Sequence, residues 1–180
     1  MDERARLMAI LKEHSVRTGT FTLASGKQSD FYVDGRQTTL NAEGAWLVGR
    51  QMLAALKPGV TGAGGETLGA DPIATAIAVA SWDAGSPVHA FLVRKQAKGH
   101  GMKRFVEGRS SLPDGSKVCI VEDTTTTGNS LLRAIERSTA EGLEVVQVLV
   151  IVDREEGAAE RVAEAGYTME ALFTRTELVG

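Results

Sequence analysis

Two apolar runs limit the folds open to this chain more than any other feature. They are "SKVCIVED" at 116–123 and "LEVVQVLVIVD" at 143–153, and "GNSLLRAIERSTAEG" lies between them. The intervening segment has helical spacing and closes at Gly142. Strands that are apolar almost throughout are buried on both faces. Joined by a helix, they belong to a parallel sheet covered on both sides. The rest of the chain repeats the alternation. Strands are predicted at "GVTGAG", "PVHAFLVR" and "YTMEALFT". Helices are predicted at "GADPIATAIAVASWDAG" and "EEGAAERVAEAG", and from an Asn41 cap to about Leu56, stopped by Pro58-Gly59. A first helix ends near His14, and "FTLASGKQSDFYVDG" predicts two short strands around a Ser-Gly-Lys turn. The predicted fold class is α/β: a mostly parallel central sheet with helices on both faces, plus a small N-terminal hood from residues 1–36. With 180 residues and no linker or repeat, one domain over 1–180 is expected.

Such a sheet binds ligands beyond the carboxyl ends of its strands. "VCIVEDTTTTGNS" (118–130) stands at that place, where an apolar strand ends in two acids, four threonines and a glycine. Backbone N–H groups at the following helix start attract phosphate. Thr126, Thr127 and Ser130 add hydroxyl donors, and Gly128 permits a close turn. Glu122 and Asp123 would repel that phosphate. They suit neutral hydroxyls or a metal, so the pattern implies a sugar diol beside a phosphate. Two other phosphate motifs fail. Gly64–Gly69 has P-loop spacing, but Ala70 replaces the required lysine. Gly62-Ala63-Gly64-Gly65-Glu66 is followed by Thr67 where the dinucleotide fingerprint needs glycine.

Charge and cysteine content narrow the partners. Twenty basic and 23 acidic residues leave a net charge of −3, which argues against general nucleic-acid or membrane-surface binding. Cys119 is the only cysteine and sits in an apolar run, as a buried, inert thiol would. The N-terminus "MDERARLMAILKEH" does not read as a signal peptide, and no apolar run is long enough to span a bilayer. A cytoplasmic setting is expected.

The 118–130 segment resembles the phosphoribosyl-pyrophosphate (PRPP) signature of type I phosphoribosyltransferases. "FLVRKQAKGHGMKRFVEG" is similar to the mobile catalytic loop of orotate phosphoribosyltransferases, with pattern R-K-x-x-K-x-H-G, matched by Arg94, Lys95, Lys98, His100 and Gly101. "FTLASGKQSDFYVDGR" resembles the family's orotate-side segment, "GGETLGADPIA" its pyrophosphate loop, and "VDREEG" the site of its substrate-contacting arginine. There are departures. Ala24 stands where better-known members carry a lysine and Leu68-Gly69 where they carry a Tyr-Lys pair, and the acid pair is Glu-Asp, where Asp-Asp is common.

The resemblance implies transfer of ribose 5-phosphate from PRPP to orotate, giving orotidine 5′-monophosphate and pyrophosphate. It implies PRPP binding by Arg94, Lys95, Lys98, His100, Glu122, Asp123, Thr124, Thr125, Thr126, Thr127, Gly128, Asn129 and Ser130. Lys98, His100 and Asp123 are the expected catalytic residues, and Thr126, Arg154 and Phe31 the expected orotate contacts. Mg²⁺ is expected to arrive with PRPP, without an assigned protein ligand. A homodimer with shared active sites is implied. Two other readings stay open: a PRPP-binding regulator of the same fold without turnover, and a phosphoribosyltransferase for another nucleobase.

Overall fold

The computed structural model describes residues 2–22, 28–96 and 104–180. The chain begins with α1 (Glu3–Ile10), prolonged by a π-helical turn at Leu11–Ser15. A two-stranded antiparallel sheet follows, β1 (Val16–Thr22) with β2 (Gln28–Val33). Then come α2 (Arg36–Thr39), α3 (Ala42–Ala54), β3 (Gly62–Glu66), α4 (Ala70–Asp83), β4 (His89–Val93) and β5 (Val106–Glu107). The chain continues with β6 (Lys117–Thr125), α5 (Asn129–Ala140), β7 (Glu144–Asp153), α6 (Ala158–Glu164), β8 (Met169–Thr174) and α7 (Arg175–Val179). The second sheet has six strands in the order β5-β4-β3-β6-β7-β8. Its pairings are parallel except that of β5 with β4.

The apolar runs produce two cores. Along β6, Val118 and Ile120 pack toward α5 and α6, while Cys119 and Val121 pack toward α1, α3 and α4. Along β7, Val148 and Val150 join the first side, and Leu149 and Ile151 the second. Each strand thus feeds both layers, as its lack of polar alternation predicts. Complete burial of each such side chain contributes about 1.5–3 kcal/mol.

Three boundaries differ from the sequence reading. β1 starts at Val16, well before the expected Phe21, because Arg17 to Thr20 lie on an exposed strand with no apolar run to mark it. β6 runs through Thr125 rather than ending at Asp123. Thr124 pairs with Val152 and Thr125 with Asp153, a placement suited to β-branched residues. β3 starts three residues later and ends two later than "GVTGAG", as "GAGGE". All five of its residues are buried between β4 and β6. A Cβ on Gly64 would lie 2.0 Å from the Phe91 carbonyl oxygen, and one on Gly65 would lie 2.1 Å from that of Val121. Glycine is needed here for close approach, which overrides its poor strand propensity.

Candidate active site

From β3 the chain moves outward to β4, then returns to β6 on the other side of β3. The carboxyl ends of β3 and β6 therefore flank the point where strand order reverses, and a crevice opens there. It has a volume of about 360 Å³. β3 contributes Glu66, followed by Thr67, Leu68 and Gly69; β6 contributes Glu122, Asp123 and Thr124. Ser130 and Arg133 enter from α5, Lys95 from beyond β4, and Asp34 and Arg36 from the hood.

The acids are held in different ways. Burial pushes Glu122 up to about 7, against the pull of a hydrogen bond from Ser130. Its Oε2 is buried with no partner among the described residues. Burial also raises Asp123, opposed by backbone N–H groups of Thr124 and of Asp123 itself. Two glycines make room for Asp123. A Cβ on Gly35 would lie 2.8 Å from its Oδ2, and one on Gly69 would lie 2.6 Å from its Oδ1. Asp34 differs. Burial would raise it, but hydrogen bonds from Arg36 and Gln37 hold it below the usual carboxylate range. Glu122 and Asp123 are thus buried acids, and the free Glu122 Oε2 suits a hydroxyl or a hydrated cation.

The turn after β6 leads from the crevice into α5. Gly128 caps α5 with φ of 73°, a left-handed conformation that disfavours other residues. Arg161 of α6 braces this turn, donating from Nη1 to the Thr127 carbonyl at 2.7 Å and to Asn129 Oδ1 at 2.8 Å.

A family model described as a phosphoribosyl transferase domain matches residues 69–169. The chain is 43% identical over 183 residues to the orotate phosphoribosyltransferase of Aquifex aeolicus, covering 99% of each protein. The chain belongs to the orotate phosphoribosyltransferase family. It is also 42% identical over 175 residues to the orotate phosphoribosyltransferase of a Nostoc species, covering 97% of this chain and 84% of that one. Among solved structures it resembles the Mycobacterium tuberculosis H37Rv orotate phosphoribosyltransferase in complex with Fe(III) dicitrate. The TM-score is 0.85 at 43% identity, covering 99% of both chains. The M. tuberculosis enzyme in complex with PRPP gives 0.79 at 37%, covering 98% of both.

Within this orotate phosphoribosyltransferase fold, Glu122, Asp123, Thr124, Ser130 and Lys95 come together in the crevice. Thr126 to Gly128 form the turn between Thr125 and Asn129-Ser130, the first residues of α5. Thr125 departs from its expected role. It lies within β6, and its hydroxyl is buried without a partner rather than exposed to the crevice. Arg94 departs too. Its Nη1 pairs with Glu107 at 3.2 Å, and it does not line the crevice. Arg154 and Phe31 meet under the hood. Arg154 Nη2 donates to the Phe31 carbonyl at 3.3 Å and pairs with Glu156 at 2.8 Å. Arg154 is 6% exposed, and its Nε has no partner among the described residues. Lys98, His100 and Gly101 lie outside the described residues, as do Ala24 and Lys27.

Arg133 lies outside every segment singled out for the site in the sequence, whereas Tyr32, Val33, Asp34 and Arg36 fall within "FTLASGKQSDFYVDGR" without an individual role assigned there. Arg133 had a readable signal. In a helix beginning at Asn129, Ser130, Arg133 and Arg137 share one face, the i, i+3, i+7 spacing.

Proposed function

We propose that this crevice transfers ribose 5-phosphate from PRPP to orotate, giving orotidine 5′-monophosphate and pyrophosphate in pyrimidine nucleotide synthesis. One observation carries the reading. Two buried acids stand at the sheet's reversal point, directly before a hydroxyl-rich turn that enters α5 through the left-handed Gly128. That is a ribose site next to a phosphate site.

The chemistry follows from where charge develops. As the C1–pyrophosphate bond breaks, positive charge grows on the ribose ring and negative charge on the leaving group. Catalysis is then mainly positional and electrostatic. Asp123 and Glu122 accept from the ribose hydroxyls and face the developing ring charge. The turn from Thr126 to Ser130 holds the 5′-phosphate through backbone N–H groups, with Thr126, Thr127 and Ser130 adding hydroxyls. Lys95 addresses the pyrophosphate, and Lys98 and His100 neutralise it as it leaves. Orotate's carboxylate is received by Arg154, exchanging with Glu156, beside the backbone of Phe31.

The donor set fits a magnesium ion that arrives with PRPP. Among the described residues, no group of three or more acids, histidines or cysteines could hold a metal alone. The crevice instead offers two adjacent acids, one with an unpartnered oxygen. Mg²⁺ takes few protein ligands and keeps several waters. Bound there, it would offset pyrophosphate charge.

A homodimer with shared sites and a cytoplasmic location complete the reading, with hood and sheet acting as one domain. An exposed apolar groove of about 630 Å³ on α3 and α4, lined by Leu40, Trp46 and Val79, supports the dimer. No described helix is long and apolar enough to cross a membrane. The test is calorimetry with PRPP and Mg²⁺. Asp123→Asn should weaken binding by about 1.5–3 kcal/mol, the worth of a charge-assisted hydrogen bond, while the fold persists. Unchanged affinity would remove Asp123 from the ribose site.

A further inference from the structure

The loop after β3 is Thr67-Leu68-Gly69 and carries no cation. A leaving pyrophosphate in the crevice still needs positive charge beside it. Apart from Arg36, already paired with Asp34 at 2.9 Å, the described cations lining the crevice are Lys95 and Arg133. Both meet Glu66. Arg133 Nε lies 2.8 Å from Glu66 Oε2, and its Nη2 lies 2.9 Å from Oε1. Lys95 Nζ is 4.0 Å from Glu66, and Arg137 Nη1 is 3.8 Å away. The Glu66 side chain is only 4% exposed, whereas that of Arg133 is half-exposed and faces the crevice.

We propose that Glu66 and Arg133 form a preset clamp for the pyrophosphate end of PRPP, in which Glu66 is the positioning residue and Arg133 makes the contact. This rests on the phosphoribosyltransferase reading of the crevice. Three features carry it. The paired bonds fix the guanidinium plane, so its ordering entropy is already spent before ligand arrives. The pairing uses Nε and Nη2 and leaves Nη1 with no hydrogen bond among the described residues. Three cations surround one buried carboxylate, so the wall is net positive in spite of the acid. Arg137 ties this wall to the root of the basic segment. Its Nη1 donates to the Arg94 carbonyl at 2.7 Å, and its guanidinium lies 4.4 Å from the Phe105 ring centre. Pyrophosphate bound at Arg133 is thereby placed beside Lys95, where the segment carrying Lys98 and His100 begins.

The sign of one effect separates positioning from simple charge. Removing the Glu66 charge makes the wall more positive, so charge counting alone predicts tighter pyrophosphate binding. Positioning predicts weaker binding. Inorganic pyrophosphate and ribose 5-phosphate are titrated calorimetrically at fixed Mg²⁺ into the whole protein and its Glu66→Gln, Arg133→Gln and Arg133→Lys variants. Arg133→Gln should weaken pyrophosphate binding at least about tenfold, the loss of a charge-assisted hydrogen bond. Ribose 5-phosphate affinity should change less than about twofold. Glu66→Gln should weaken pyrophosphate several-fold, and Arg133→Lys should fall between Arg133→Gln and wild type, having charge without the fork. Arg133 is surface-accessible, so its variants keep the test valid if Glu66→Gln misfolds. Tighter or unchanged pyrophosphate binding in Glu66→Gln overturns the clamp, as does an Arg133→Gln variant that treats the two ligands alike. Wild-type protein that fails to bind PRPP would instead overturn the reading of the crevice itself.

Discussion

Glu122 is the residue whose environment makes the plainest solution prediction. Burial raises its folded-state pKa from 4.5 to about 7, so between those values the folded chain holds a proton that the unfolded chain has released. Folding stability from this group is therefore greatest at low pH and falls as pH rises from about 4.5 through about 7. The size is about 3.5 kcal/mol at most, from about 1.4 kcal/mol per pKa unit. Glu122→Gln removes this dependence. In urea unfolding, the variant should gain on wild type by about 1–3 kcal/mol between pH 5 and pH 8, and an unchanged difference would contradict the burial account. Asp123 shifts in the same direction, so the variant keeps the part of the slope that Asp123 supplies. At this scale the sequence was partly legible. The acid pair, the hydroxyls and Gly128 announce themselves because they are contiguous. Glu66 and Arg133 are 67 positions apart and meet only through the β3–β6 adjacency. No local pattern states such a pairing.

β3 shows how an element can run against its own propensities. "GAGGE" is poor strand material, yet it occupies the centre of the six-stranded sheet. Its glycines let β4 and β6 approach closely enough to bring Glu66 and Asp123 to one crevice. Gly64→Ala should destabilise the fold by about 2–3 kcal/mol through overpacking against Phe91, read as a lowered urea midpoint. A midpoint equal to wild type would show that the strands can separate freely. The long strands β6 and β7 were legible because continuous apolar runs have one good solution, burial on both faces. The start of β1 was not, since an exposed hood strand such as Arg17 to Thr20 needs no apolar run. The end of β6 was hidden for another reason: threonine serves strands and phosphate turns alike, and only pairing with Val152 and Asp153 assigns Thr124 and Thr125 to the strand.

At the scale of the whole molecule, the sheet supplies one reaction crevice and a separate apolar face on α3 and α4. Trp82 is 74% exposed, Val79 60% and Trp46 58%, more apolar side chain than one helix pair usually shows to water. If this face joins two copies, Val79→Arg should halve the mass measured by sedimentation equilibrium and lower turnover with it. A variant whose mass matches wild type would place the interface elsewhere. The decrease of orotate's ultraviolet absorbance in the presence of PRPP and Mg²⁺ tests orotate transfer most directly. Wild type should consume orotate but neither uracil nor hypoxanthine, and Lys98→Ala should lower kcat by about 10²–10³, as when one preorganised charge-stabilising donor is removed. Its PRPP affinity should change far less, because that charge acts mainly in the transition state. Wild-type protein that binds PRPP yet leaves orotate absorbance constant would contradict the account.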